Sequence, residues 1–314
     1  MFLIILLYAL FGSSFPISKT LLGFSDPIFL TGIRMFIAGS ILLIYQYCFA
    51  HHHFVFKWRH ALLYAQVIIF GVYLTYILRF WGLAYLASAK TAFLFNVAPF
   101  FAALYSYISF REKLTRQQWL GLLIGFIGLF PILLSSSGPE KRLGEFFFIS
   151  WPEIAVLAAV ACHNYSWIIM RKLVRDKSYA PSMVNGLTMF IGGVMALITA
   201  YFTEGPQEMG DPGAFLSLLI LVILISNIIC HNLYAHLLRK YSATFLAFAG
   251  FLGPLFSAFY GWIFLGEIIT WHFYLSAVIV FVGLYLFYQH ELKLSGIGKK
   301  EEEEKIQPLD PESI

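Results

Sequence analysis

Ten apolar runs of membrane-spanning length are the feature that most restricts what this chain can fold into. They lie near residues 1 to 22, 27 to 48, 60 to 84, 88 to 110, 116 to 134, 152 to 170, 180 to 203, 213 to 236, 243 to 265 and 270 to 290. A helix needs about 20 apolar residues to cross the ~30 Å hydrocarbon core of a bilayer. Turn-forming segments such as GFSDP and SSSGPE separate the runs. The sequence therefore predicts an all-α integral membrane protein with ten transmembrane helices.

The distribution of basic residues predicts how these helices are oriented. With both termini inside, fifteen Lys and Arg residues fall in inner loops and the tail, and only Lys141 and Arg142 fall in outer loops. Loops rich in Lys and Arg remain in the cytoplasm. We therefore expect cytoplasmic N- and C-termini and a multi-pass protein of the cell inner membrane. The charged tail, residues 291–314, is expected to be disordered, and the HHH run at 51–53 is expected in a solvated inner loop.

The chain repeats itself at an offset of 154 to 155 residues. RMFIAGSILLI at 34–44 and TMFIGGVMALI at 188–198 are identical at six of eleven positions, and 88–115 matches 243–270 at nine of 28. A repeat of five helices enters the membrane from opposite sides in its two copies, because five is odd. We therefore predict two inverted repeats, residues 1–134 and 152–290, joined by an outer linker at 135–151. Inverted repeats are typical of secondary transporters, whose binding site lies between the halves.

The segment SAKTAFLFNVAPFFAALYSYISFREKLT, followed by GLLIGFIGLF, resembles the EamA domain of the drug/metabolite transporter superfamily. In that domain a small-residue start, a mid-helix Pro and a Glu at the helix exit precede a Gly-spaced fifth helix. The second copy is similar and ends in VFVGLYLFY. The resemblance implies a ten-helix exporter or exchanger of small metabolites with predicted helices 1, 3, 4, 6, 8 and 9 lining the cavity. Here Arg111-Glu112 and Gly266-Glu267 replace the usual Glu-Arg exit, a departure expected to affect folding rather than substrate.

Four basic residues lie inside predicted helices, all in the outer half of the bilayer: Lys19, Arg34, Arg79 and Lys90. The nearest carboxylates, at outer helix ends, are Asp26, Glu153 and Glu267. One interpretation is structural, in which the long side chains reach the interface and pair with these acids. The other is a positive pocket for an anionic group of the substrate, since buried cations are commonly functional. The guanidinium of Arg79 is the better carboxylate or phosphate partner because it is forked.

Polar and aromatic side chains at helical spacing extend this candidate site. Gln66, Tyr73, Tyr76 and Arg79 are predicted to share a face of the third helix, and Asn227, His231 and Tyr234 a face of the eighth. Asn96 lies near Pro99, which can free backbone carbonyls to meet substrate. His163 and His231 have two open interpretations, a cavity wall or interhelical hydrogen bonds. The predicted substrate-binding residues are Arg79, Arg34, Lys19, Lys90, Tyr76, Asn96, His163, His231 and Tyr234.

These features predict a secondary transporter that works by alternating access and not an enzyme. The sequence has no Walker A motif for ATP, and the absence of midplane carboxylates favours exchange or facilitated flow, while the His residues leave proton coupling open. Cations facing aromatic residues suit a small charged or zwitterionic metabolite with a carboxylate or phosphate and a flat ring. The resemblance implies exchange of S-adenosylmethionine for S-adenosylhomocysteine, or export of amino acids or drugs.

A polytopic membrane enzyme is the alternative from a different class, and it needs paired acids that the spans lack. We expect no cofactor and no metal, because the three Cys residues are scattered through apolar runs. The expected partners are a small-molecule substrate and membrane lipid, without nucleic acid. The chain is expected to act as a monomer or homodimer.

Overall fold

A computed structural model describes residues 2–49, 56–111, 115–128, 130–131, 144–146, 149–205, 211–239, 241, 246–247, 249–250, 252–279, 281–283 and 285–286. The HHH run, Glu112, the tail and most of the predicted linker lie outside the described residues. The predictions for these segments therefore remain predictions.

The described residues form helices at each of the ten predicted runs. The helices are α1 Phe2–Leu21, α2 Pro27–Phe49, α3 Trp58–Tyr85, α4 Ser88–Ser109, α5 Arg116–Ile127, α6 Trp151–Asp176, α7 Pro181–Thr203, α8 Pro212–Leu237, α9 Leu252–Leu265 and α10 Trp271–Gly283. Seven of these, α1 to α4 and α6 to α8, are long and apolar enough to cross a membrane. A two-residue strand β1, Glu145–Phe146, pairs antiparallel with β2, Ile149–Ser150, a hairpin that the sequence did not predict. The chain is a helical integral membrane protein.

Carboxylates from the second half cap two helix N-termini of the first half. Glu204 accepts hydrogen bonds from the amides of Ile28 and Phe29 at 2.7 Å each, at the start of α2. Glu267 accepts from the amides of Ser88 at 2.9 Å and Ala89 at 3.4 Å, at the start of α4. A carboxylate is stabilised at a helix N-terminus because the first amides have no partner within the helix. Glu267 therefore has a structural role, in line with the expectation for the helix exit.

Helices α2 and α7 pack against each other through reciprocal contacts. A Cβ atom added to Gly39 would lie 2.3 Å from the amide nitrogen of Phe190, and one added to Gly193 would lie 2.4 Å from that of Phe36. Small residues allow this close approach of two backbones. The two glycines, and the two phenylalanines, each correspond at the repeat offset of 154. Reciprocal contacts between corresponding residues are what a local two-fold axis produces.

The first helix of each half packs into the other half. Helix α1 lies on α8 and α9, and α6 lies on α3 and α4. A Cβ atom at Gly12 would be 2.9 Å from the carbonyl oxygen of Gly253, so α1 and α9 are in backbone contact. The hydroxyl of Tyr8, on α1, also donates a hydrogen bond to the carbonyl oxygen of Leu246, which precedes α9. This exchange of helices brings residues of both halves together at the centre of the protein.

Helices α3 and α8 contain matching π-helical segments, at Val67–Leu74 and Ile223–Cys230. A π turn is wider than an α turn, so the residues after it rotate away from the face that an α-helical spacing predicts. The Tyr73 hydroxyl lies 2.7 Å from Thr199 Oγ1 on α7, whereas Tyr76 and Arg79 line a central cavity. The prediction that Tyr73 shares their face is therefore wrong.

Candidate functional site

A central cavity lies between helices of the two halves. Its wall is formed by α1, α3, α4, α6, α8 and α9, together with residues just before α9, and it encloses about 680 Å³ of empty space including its opening. These are the six helices that the family resemblance implied. The charged and polar side chains in the wall include those of Arg79, His163, Asn164 and His231.

Arg79 is the cation of this cavity. Its side chain is 6% exposed, and its guanidinium carbon lies 4.1 Å from the ring centroid of Phe15 and 5.4 Å from that of Phe95. One terminal nitrogen donates to Ser14 Oγ at 3.4 Å, and Nε has no hydrogen-bond partner among the described residues. No carboxylate of the described residues lines the cavity. The aromatic faces stabilise the charge in part, but hydrogen-bonding capacity remains for an anionic group.

Arg34 lies behind the cavity wall. It is fully buried, its Nε donates to Asn227 Oδ1 at 2.6 Å, and its guanidinium carbon is 5.5 Å from the ring centroid of Tyr76. Arg79 lies 5.8 Å from the same ring. Arg34 is not among the cavity-lining residues, which differs from its predicted contact with substrate. Arg34 lies behind Tyr76, so its charge raises the positive potential of the cavity although its side chain does not line it.

Tyr76 and His231 join the two halves at the cavity. The Tyr76 hydroxyl lies 2.7 Å from His231 Nε2, and His231 Nδ1 lies 2.6 Å from the Ser226 carbonyl oxygen, within the π-helical segment of α8. A carbonyl only accepts, so Nδ1 carries the proton and Nε2 accepts from Tyr76. The two open interpretations of His231 therefore both hold, because it lines the cavity and bonds between helices.

Lys19 and Lys90 are engaged elsewhere. The Lys19 ammonium donates to three carbonyl oxygens at the end of α3, those of Leu83, Ala84 and Leu86, at 2.6, 3.1 and 2.6 Å. The Lys90 ammonium lies 2.7 Å from Glu153 Oε1. Neither lysine lines the cavity, so their contacts agree with the structural interpretation, and the prediction that they contact substrate stays a prediction. The physical reason is that a helix C-terminus and a buried carboxylate lie within reach of these side chains.

Asn96 also lies outside the cavity wall. It is buried, and its Oδ1 has no hydrogen-bond partner among the described residues, but the neighbouring Phe95 faces the cavity instead. Residues 95–97 form a 3₁₀ turn between the two halves of α4, directly before Ala98 and Pro99. This turn sets which of the neighbouring side chains points into the cavity, and helical spacing alone did not predict it.

An aromatic wall that includes Phe11 and Tyr234 stands at the α1 and α8 side of the cavity, and Trp167 of α6, which sequence reasoning missed, packs behind it. The Trp167 ring centroid lies 4.2 Å from that of Tyr234, and Phe11 packs edge-on against His231 at 5.6 Å. Trp167 also donates from Nε1 to His163 Nε2 at 2.7 Å. The signal that could have found Trp167 is its spacing of four residues from His163, which puts both on one face of α6.

A central cavity between the two halves of a helical membrane protein, with a buried cation and no carboxylate of the described residues in its wall, is typical of solute transporters. The model of the EamA-like transporter family matches this chain twice, over residues 1–134 and 150–289. The chain belongs to the EamA-like transporter family.

Comparison with curated proteins and solved structures agrees with this membership. The chain is 33% identical over 296 residues to an S-adenosylmethionine/S-adenosylhomocysteine transporter of Chlamydia muridarum, covering 93% of this chain and 92% of that protein. It is 34% identical to the protein of the same description from Chlamydia trachomatis serovar L2, covering 93% and 90%. A crystal structure with 13% sequence identity superimposes with a TM-score of 0.68, covers 91% of this chain and 96% of that chain, and shows the common fold.

Proposed function

We propose that this protein is a secondary transporter that exchanges S-adenosylmethionine for S-adenosylhomocysteine by alternating access, and that it is not an enzyme. The observation that carries the proposal is Arg79, a buried guanidinium in an aromatic cavity without a carboxylate partner among the described residues. Both compounds have an amino-acid carboxylate for this fork and an adenine ring for the aromatic wall. The relatives at 33% and 34% identity that are named for this pair of compounds support the same substrate.

The aromatic rings also suit the positive groups of these compounds. An ammonium or sulfonium is attracted to the face of an aromatic ring within about 6 Å. Phe11, Phe15, Tyr76, Phe95 and Tyr234 supply such faces in the cavity. S-adenosylhomocysteine lacks the sulfonium methyl and its charge but keeps every other group, so one cavity can accept both.

Exchange is expected to be substrate-stimulated and electrogenic. Purified protein in liposomes loaded with S-adenosylhomocysteine should take up labelled S-adenosylmethionine faster than empty liposomes do. An inside-negative potential should increase the rate, because one positive charge enters in each cycle.

Other results in the same assay would contradict the proposal. Equal stimulation by internal amino acids would favour the amino-acid or drug exporter. Chemical conversion of the solute would favour the membrane enzyme.

The proposal includes the architecture in the membrane. Ten transmembrane helices form two inverted repeats, residues 1–134 and 152–290, joined by an outer linker at 135–151, in the cell inner membrane with both termini and the 291–314 tail in the cytoplasm. The reciprocal contacts of Gly39 with Phe190 and of Gly193 with Phe36 support the inversion, and the fifteen basic residues of the inner side support the orientation. The chain acts as a monomer or homodimer in contact with membrane lipid.

Reporter fusions test this orientation. Fusions after residues 55, 112, 175 and 240 are expected to report cytoplasm, and fusions at 140 and 208 are expected to report the outside. The physical reason is the excess of Lys and Arg near the four positions expected in the cytoplasm. An outside signal at residue 175 would end the inverted-repeat proposal, because that position lies at the proposed inner end of α6.

A further inference from the structure

The hydrogen bond between Trp167 and His163 determines where His163 carries its proton. An indole nitrogen donates and never accepts, so His163 Nε2 must accept the hydrogen bond from Trp167 Nε1 at 2.7 Å. Turning the imidazole ring over would put a carbon atom at this position, so the contact also fixes the ring orientation. The neutral imidazole therefore has its proton on Nδ1.

This Nδ1 hydrogen is a buried donor without an acceptor. Nδ1 has no hydrogen-bond partner among the described residues, and His163 lines the central cavity. Arg79 Nε is in the same situation in the same cavity. Buried polar groups are nearly always hydrogen-bonded, so these two donors are the groups of this cavity wall that an acceptor on a ligand would satisfy.

The two donors lie against the same ring. The Phe95 centroid is 5.8 Å from the His163 ring centroid and 5.4 Å from the guanidinium carbon of Arg79. The neighbouring imidazole, His231, has both nitrogens occupied by Tyr76 and the Ser226 carbonyl. Of the two cavity histidines, His163 is therefore the one with a donor to offer to a ligand.

We infer that His163 Nδ1 is the second donor to the anionic group that Arg79 binds, and that Trp167 is a positioning residue that keeps the proton on Nδ1. This inference rests on the proposed function, in which that group is the amino-acid carboxylate. A carboxylate has two oxygens and accepts from both donors at once. Trp167 does not touch the ligand, and it affects binding only by keeping the proton of His163 on Nδ1.

Two substitutions at His163 separate the donor from the rest of the ring. In His163→Asn the amide nitrogen takes the place of Nδ1, so a donor is kept and the bond to Trp167 is lost. In His163→Gln the side chain reaches Trp167 but offers no donor at the Nδ1 position. Binding is measured for S-adenosylhomocysteine and for 5′-methylthioadenosine, which has the adenine, ribose and thioether but no carboxylate.

The expected result is selective. His163→Gln should weaken binding of S-adenosylhomocysteine about tenfold, as loss of a hydrogen bond to a charged group does, and leave binding of 5′-methylthioadenosine unchanged. His163→Asn should bind S-adenosylhomocysteine with an affinity within about threefold of that of the wild type. Trp167→Phe should weaken binding of S-adenosylhomocysteine by a smaller factor than His163→Gln does, and it should leave binding of 5′-methylthioadenosine unchanged.

Four outcomes would overturn the inference. Equal weakening of both compounds by His163→Gln would show a structural role, and unchanged S-adenosylhomocysteine binding would show no contact. Asn and Gln variants that are equally impaired would exclude the Nδ1 donor. A wild-type protein that binds neither S-adenosylmethionine nor S-adenosylhomocysteine would overturn the proposed function itself and the inference with it, before any variant is compared.

Discussion

Arg79→Gln is expected to reduce S-adenosylmethionine exchange to background while the protein still reaches the membrane. Truncating one partner of a buried, hydrogen-bonded charge pair costs about 2–5 kcal/mol, which corresponds to a loss of roughly thirtyfold or more. Because no carboxylate of the described residues pairs with Arg79, its removal leaves no buried acid uncompensated. Arg79→Lys keeps the charge and loses the fork, so it should give an intermediate rate.

A matched control distinguishes a substrate contact from a structural ion pair. Glu153→Gln removes the partner of the buried Lys90, which should lower the amount of folded protein because a buried charge is left unpaired. The rate of exchange per folded molecule should stay near that of the wild type. Normal exchange by Arg79→Gln, or loss of that variant through misfolding as severe as that of Glu153→Gln, would place the anion site elsewhere.

Gly39→Ala is expected to produce the largest loss of stability of any alanine substitution at a glycine that the structure describes. The new Cβ atom would lie 2.3 Å from the backbone nitrogen and 2.6 Å from the Cα of Phe190, so a whole helix has to move to relieve the clash. Overpacking of this kind typically costs about 1–3 kcal/mol and sometimes more. The measurement is the unfolding temperature of detergent-purified protein together with its yield from membranes.

The local two-fold relation adds a second expectation and a control. Gly193→Ala should lower the stability of the protein about as much as Gly39→Ala does, because its Cβ would lie 2.4 Å from the amide nitrogen of Phe36. Gly125→Ala, in α5, would meet its nearest side-chain atom, from Phe100, at 3.8 Å and should be tolerated. If all three variants unfold at the same temperature, α2 and α7 are not in backbone contact.

The sequence by itself determined the membrane class, the helices and the family. Hydrocarbon provides no hydrogen-bond partner for the backbone, so apolar runs of spanning length must become helices, and their ends follow closely. The runs predicted at 27 to 48 and 88 to 110 became α2, Pro27–Phe49, and α4, Ser88–Ser109. The family resemblance implied the six helices around the cavity, and five of the predicted site residues line its wall: Arg79, Tyr76, His231, Tyr234 and His163.

Only the tertiary structure decided which of the intramembrane cations is available to a ligand. Lys90 and Arg79 look alike in the sequence, but Lys90 finds Glu153 on α6, and Arg79 finds no carboxylate among the described residues. Such partners come from helices distant in the chain, and helical periodicity contains no information about them. Tyr73, within the π-helical segment of α3, contacts Thr199 on α7, and Asn96, within the 3₁₀ turn of α4, lies outside the cavity wall. A change in residues per turn moves side chains off the face that α-helical spacing predicts.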